Sequence, residues 1–191
     1  MRSVIMKIRP ATPEDAAAIA RVHITSWQRA YERILPAEFL AGLSFEGRRD
    51  VWAESIASGQ PQVLVAEVDS QVVGFCAVGP CRDDHAPVTT FEVWAIYLSP
   101  SHWSAGLGRE LWLASRNWAL AHGATDMSLW VITTNQRAIS FYEAAGFEVA
   151  RSSLKSSALG GVQVEEVRYS QQIAGWPAAS AFNSCGSVNT R

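Results

Sequence analysis

Residues 91–98 read F-E-V-W-A-I-Y-L, apolar or aromatic at every position except Glu92. A strand with one wet face alternates between apolar and polar residues. This one does not, and reads as a strand buried on both faces. Pro100 stops it, a short polar loop follows, and Gly106-Leu107-Gly108 leads into a helical period. Leu107, Leu111, Ala114, Trp118 and Ala121 recur at helical spacing, so one stripe faces a core. Strand, glycine-bearing loop and helix make an anion site. The first helical N–H groups lack partners inside the helix, and the helix dipole favours negative charge there. Gly106 and Gly108 leave room for a phosphate to approach backbone, and Arg109 adds a positive charge at the same end. A side chain at 108 is therefore expected to crowd the anion. The same residues also suit a plain tight connection.

The remaining elements follow in order. A first strand over residues 4–9 ends at Pro10, and Thr12-Pro13-Glu14-Asp15 starts a helix that runs to about Tyr31. Pro36 opens a short helical piece, and Ser44 caps a third helix ending at Gly59-Gln60-Pro61. Residues 62–68 and 72–78 form a hairpin around Asp69-Ser70-Gln71. Residues 81–89 are a polar loop. Asp83, Asp84 and His85 there lack a spaced fourth ligand and read as solvated, so no metal is expected. A strand over 126–132 leads to Asn135, a natural N-cap, and a short helix that Gly146 stops. Residues 147–152 form a strand, a Ser/Gly-rich loop crosses to residue 162, and the last strand spans 162–171. The pattern is an α/β sheet of about seven strands with mixed directions. One domain over residues 1–174 is expected, with 175–191 as a mobile tail.

Composition narrows the function. A net charge of -2 without a basic run gives no reason to expect nucleic acid. No signal-peptide pattern or bilayer-length apolar run stands out, and Cys76, Cys81 and Cys185 form no disulfide framework. A cytoplasmic protein without a membrane partner is the expectation. Eight tryptophans indicate an aromatic core, an aromatic-walled pocket, or both.

The segment N-Q-R-A-I-S-F-Y-E-A-A-G-F over residues 135–147 then follows the strand–G-x-G–helix unit. The two motifs together, in this order and spacing, resemble the GNAT superfamily of acetyl-CoA-dependent N-acetyltransferases. The resemblance covers residues 8–171. It implies a mixed, mostly antiparallel sheet of about seven strands with a splayed central pair, flanked by helices. It implies acetyl-CoA as co-substrate, its pantetheine arm along the backbone of Ile96, Tyr97 and Leu98. The pyrophosphate would sit on Trp103, Ser104, Ala105, Gly106, Leu107, Gly108 and Arg109. Asn135 and Ala138 would lie beside the arm, and Tyr142 near the thioester sulfur as general acid. The chain departs from the family at Trp103, usually Gln or Arg, and at Ala105, often Lys or Arg. Backbone N–H groups and Arg109 are left to hold the anion. A homodimer is common in the superfamily, and the resemblance does not decide the assembly.

The chemistry asks for few groups. A primary amine has a pKa near ~10 and must lose a proton before it attacks. Glu92 is the candidate base, a carboxylate in an apolar strand that would share a face with Trp94, Ile96 and Leu98 by the two-residue period. A structural ion pair is the competing reading for Glu92, and a packed core ring the competing reading for Tyr142. Trp27, Tyr31, Trp94 and Trp130 would wall the acceptor cleft, suited to an organic cation or an apolar amine. A protein N-terminus is the other acceptor class. A non-catalytic acyl-CoA-binding regulatory module on the same fold is the alternative to an enzyme.

Overall fold

The structure is a computed structural model and describes residues 6–175. The expected strand residues 4 and 5, and all of the expected tail beyond Gly175, lie outside the described residues. The strands are β1 (Met6–Pro10), β2 (Gln62–Val68), β3 (Gln71–Pro80), β4 (Thr90–Leu98), β5 (Asp126–Ile132), β6 (Glu148–Leu159) and β7 (Val162–Gln172). They form one sheet in the order β1-β2-β3-β4-β5-β7-β6. Every neighbouring pair is antiparallel except β4 and β5. That parallel pair holds register only from Thr90↔Asp126 to Glu92↔Ser128. Beyond it the two strands separate, and the sheet opens in its middle.

The helices are α1 (Ala16–Ala30), α2 (Ala37–Ala41), α3 (Phe45–Ser58), α4 (Leu107–Ala121) and α5 (Gln136–Ala144). A 3₁₀ turn, Pro13–Asp15, precedes α1. Its Asp15 carboxylate accepts from the Thr12 backbone N–H at 2.8 Å and from both Arg9 terminal nitrogens at 2.6 and 2.9 Å. Ser44 caps α3 by accepting from the Gly47 N–H at 3.0 Å. One apolar core joins the sheet to α4 and α5 through Leu111, Trp112, Met127, Leu129 and Phe147. A second joins the other face to α1 and α3 through Ile19, Val22, Trp52, Val65 and Phe75. Both faces of β3 and β4 are thus covered, the arrangement an apolar strand without alternation requires. Among the described residues no helix is long and apolar enough to cross a membrane.

Two local features differ from the sequence expectation. β6 runs straight through the Ser-rich segment expected to be a loop, and only Gly160 and Gly161, at φ 61° and 82°, turn the chain into β7. β6 is an edge strand, so its sequence need not show a buried apolar face. It carries a wide bulge between Ala150 and Lys155, and Ser153 Oγ inside that bulge accepts from the Arg168 N–H at 2.9 Å. The second feature is a bulge in β4. Val78 opposes Val93 while its neighbour Ala77 opposes Ala95, so Trp94 is an extra residue.

His23 on α1 titrates far from its usual range. It is 6% exposed, its Nδ1 accepts from Trp52 Nε1 at 3.1 Å, and its ring stacks on Tyr97. Burial first, and the charge of Arg48 second, lower its pKa to about 3. The unfolded chain takes up a proton near pH ~6.5 that the folded chain refuses, so stability falls as pH drops below that value. This group alone is expected to cost about 2 kcal/mol between pH 7.5 and pH 5. His23→Gln retains an acceptor and cannot titrate in this range. Denaturant melts at the two pH values should show a smaller acid loss in the variant. Equal losses would contradict a neutral native His23.

Candidate active site

The separation of β4 from β5 opens onto a cavity of about 820 Å³. That is the size of a site for a substantial organic ligand. Along one wall run β4 residues Ile96, Tyr97 and Leu98, and at one end stands the loop into α4. α5 contributes Ala138 and Tyr142, with Asn135 at its start. Trp27, Tyr31, Trp94 and Trp130 line the same cavity, as does Glu92. Among the predicted site residues Ala105 and Leu107 do not line it. Leu107 is buried in the core.

The loop turns on two left-handed residues, Ser104 at φ 62° and Gly106 at φ 82°. Gly106 adopts that conformation without the side-chain clash another residue would meet, and it immediately precedes α4. The Arg109 and Glu110 amides donate to the Gly106 carbonyl at 3.0 and 3.2 Å. The Leu107 and Gly108 amides, one step earlier, have no helical carbonyl to donate to. Trp103 is anchored, with Nε1 donating to the Leu98 carbonyl at 2.8 Å. Ser26 Oγ donates to the same carbonyl at 2.6 Å, so both of that oxygen's lone pairs are used. Over the ring of Trp103 lies Arg137, its guanidinium carbon 4.1 Å from the centroid. Sequence reasoning missed Arg137. It stands two residues past the Asn135 cap, and its approach to the loop depends on α5 packing beside α4.

Gly108 lines the cavity and also lies at a tight interior contact. A Cβ there would lie 3.2 Å from Leu98 Cδ1 and 3.2 Å from Phe141 Cε2. The missing side chain lets α4 pack against β4 and α5, which is an interior contact.

Tyr142 sits with its ring edge-on to Phe141 and Phe147, at 5.4 and 5.9 Å between centroids. Burial raises its phenol pKa far above the usual tyrosine value, and the proximity of Tyr31 and Cys76 adds to the rise. The phenol therefore keeps its proton throughout the ordinary pH range. Asn135 caps α5, its side-chain oxygen accepting from the Ala138 N–H at 3.2 Å. Tyr31 is also raised by burial, an effect partly offset by its contacts with Tyr97 and Asn135.

Glu92 is 2% exposed and paired with Arg82. Its Oε2 accepts from the Arg82 backbone N–H at 3.0 Å and from Nε at 3.1 Å, and its Oε1 accepts from Nη2. Such a carboxylate needs this pairing to be buried at all. Three of its lone pairs are occupied, and one on Oε1 remains. The bulge at Trp94 also corrects the expected face. Ile96 and Leu98 pack with the α4 core, whereas Trp94, Ala95 and Tyr97 pack with the α1 core. Glu92 does not share a face with Ile96 and Leu98, because the inserted residue shifts the alternation by one.

The four aromatic walls are present, but their faces are largely taken. Arg48 lies over Trp27 at 5.3 Å, Arg82 over Trp94 at 4.3 Å, and Lys155 Nζ over Trp130 at 3.6 Å. Three of the four rings thus already carry one of the protein's own cations. Asp83 is not simply solvated. It accepts from Trp130 Nε1 at 2.9 Å and from Arg168 Nη1 at 3.1 Å. Among the described residues no cluster of His, Cys, Asp and Glu is arranged to hold a metal.

The sequence and the fold have known counterparts. Residues 24–147 match the Acetyltransferase (GNAT) family. YuaI of Bacillus subtilis strain 168, described as an uncharacterized N-acetyltransferase, is 32% identical over 94% of this chain and 98% of its own. The fold is like that of an N-acetyltransferase from Staphylococcus aureus Mu50, with a TM-score of 0.70 and 20% identity over 88% of this chain and 99% of that one. It is also like that of the PaiA N-acetyltransferase of Thermoplasma acidophilum in complex with coenzyme A. There the TM-score is 0.67 and the identity 20%, again over 88% of this chain and 99% of that one. The family match over most of the cavity-forming chain, joined to a full-length relative, shows that this protein belongs to the GNAT acetyltransferase family and is an N-acetyltransferase.

Proposed function

We propose that the chain moves the acetyl group of acetyl-CoA directly to a primary amine, without a covalent enzyme intermediate. The observation that carries this reading is one cavity between the separated β4 and β5, with an anion-ready loop at one end and Tyr142 and Glu92 on its wall. Acetyl-CoA supplies the activated thioester. The amide of Gly108 and the cations Arg109 and Arg137 suit its phosphates. Arg137, stacked on Trp103, stands in for the cation that Ala105 lacks. Arg137→Gln is expected to weaken CoA binding about tenfold, the equivalent of one charge-assisted hydrogen bond. Calorimetric titration checks this, and unchanged affinity would remove Arg137 from the phosphate site.

In the transfer an amide C–N bond forms as the thioester C–S bond breaks. The ammonium's proton goes to the remaining Oε1 lone pair of Glu92, directly or across one water, and the second proton that nitrogen sheds as the C–N bond forms restores the Tyr142 phenol. A proton from the Tyr142 hydroxyl meets the departing sulfur. A backbone N–H on the open edge of β4 serves the oxygen that gains charge. Acceptors are small-molecule amines or protein N-termini. A panel of both, assayed by CoA release with acetyl-CoA and a longer acyl-CoA, tests the reading. CoA binding with no turnover of any amine would point to a regulatory module.

A further inference from the structure

The acceptor end of the cavity is built differently from an aromatic cage. Trp94 on β4 and Trp130 on β5 each stand two residues beyond Glu92↔Ser128, the last paired position of those strands. Both line the opening between the two strands. Arg82 lies over the Trp94 ring at 4.3 Å, and Lys155 Nζ lies 3.6 Å from the Trp130 centroid. The two stacks are tied together through the chain, because Asp83, the residue after Arg82, accepts from Trp130 Nε1. Lys155 owes its position to the β6 bulge, which ends at Lys155 and restores pairing there with Glu166.

Both cations keep capacity for a ligand. Arg82 gives Nε and Nη2 to Glu92, and Nη1 has no part in that pair. Its side chain is 54% exposed. Lys155 is 46% exposed and stands 3.9 Å from Glu166 Oε2, longer than a close hydrogen bond. Both line the cavity, and neither belongs to the loop that faces the phosphates. The charged residues lining the cavity are four cations, Arg82, Arg109, Arg137 and Lys155, and two carboxylates, Glu92 and Glu166, while the chain as a whole carries -2. The acceptor end offers both signs side by side: a guanidinium and an ammonium on stacked rings, with the Glu92 carboxylate at the floor.

We propose that this end selects an acceptor that carries a carboxylate as well as its amine, an amino-acid-like small molecule whose acid is held between Arg82 and Lys155. The amine then points to Glu92, and the acid to the two cations. Planar guanidinium and carboxylate groups pair well in this way, and stacking on tryptophan fixes the cations before the ligand arrives. A polycationic amine meets repulsion from the same two groups. The inference rests on the acetyl-transfer reading of this cavity.

Matched acceptor pairs test it: a free amino acid and its carboxamide, beside a linear polyamine. The first readout is kcat/KM from CoA release for wild type and for Lys155→Met. That variant keeps the apolar stem on Trp130 and lies on the edge strand, away from the core. Arg82→Lys is a second variant that preserves a cation for Glu92. The second readout, independent of turnover, is calorimetric binding of the N-acetyl amino acid and its amide to the CoA-loaded protein. Wild type is expected to prefer the acid about tenfold or more in both readouts, and both variants to lose most of that preference. Acid preference in binding without any turnover would leave the anion site standing and overturn acetyl transfer. Turnover of carboxamide or polyamine as fast as the acid would overturn the anion site and leave acetyl transfer standing. A preference unchanged in folded Lys155→Met, or no binding and no turnover of any acid, would also overturn it.

Discussion

Tyr142→Phe is expected to lower kcat about 100-fold while leaving the melting temperature and the CoA affinity near wild type. The ring's work in the fold is its edge-on contact with Phe141 and Phe147, and phenylalanine repeats it. The hydroxyl's proposed work is chemical. Burial and the neighbouring Tyr31 and Cys76 hold its pKa far above the usual value, so the group carries a proton at any working pH. A donor of that kind cannot be lost by deprotonation as pH rises. The wild-type kcat should therefore show no alkaline fall attributable to Tyr142 below the usual tyrosine range. The loss is placed at the low end of general-acid effects because a CoA thiolate is already a fair leaving group. Near-wild-type kcat in the variant would end the acid role. A large fall in melting temperature would make the hydroxyl structural.

Gly108→Val carries the largest expected effect on stability. The new Cβ would meet Leu98 and Phe141 at 3.2 Å each, and valine brings two further methyl groups into that tight contact. Overpacking of this kind costs about 1–3 kcal/mol, against which the better helix propensity of valine returns less than about 1 kcal/mol. A fall of roughly 5 °C in melting temperature follows for a chain of this size. Thermal melts of Gly108→Ala and Gly108→Val should show a graded loss, since alanine adds the Cβ alone. An unchanged melting temperature with CoA binding abolished would instead place the glycine at the anion.

These two residues also mark what the sequence could and could not reveal. The short helix bearing Tyr142 was legible from its ends, because Asn135 and Gly146 are chemically suited to start and stop it. The anion-ready loop was legible from the apolar strand, its stop at Pro100 and the glycines before α4. The reason for Gly108 was not, since a missing side chain looks the same whether it admits a phosphate or a neighbouring helix. The bulge at Trp94 left no trace because residues 93–98 carry no polar face whose alternation could break. Its consequence was that Glu92 was assigned to the wrong neighbours. Residues 153–159 hid a strand for the opposite reason. On a sheet edge a serine-rich run suffices, so nothing pointed to Lys155 reaching Trp130. Arg82 and Arg137 were equally silent, because each acts on a tryptophan far away in sequence. Trp27, Tyr31, Trp94 and Trp130 line the cavity, and the placing of Arg48, Arg82 and Lys155 over three of them is a tertiary fact.

The central claim is that this cavity passes an acetyl group straight from thioester to amine. Its most direct measurement is a single-turnover reaction with acetyl-CoA isotopically labelled in the acetyl group, run with an amino-acid acceptor and analysed by mass spectrometry of both small molecules and protein. The label is expected in the acetylated amine, with CoA released in equal amount and no labelled protein at any time, and with Tyr142→Phe slowing the appearance of product. Label retained on a side chain before it reaches the amine, or labelled acetyl-CoA bound and never consumed, would contradict it.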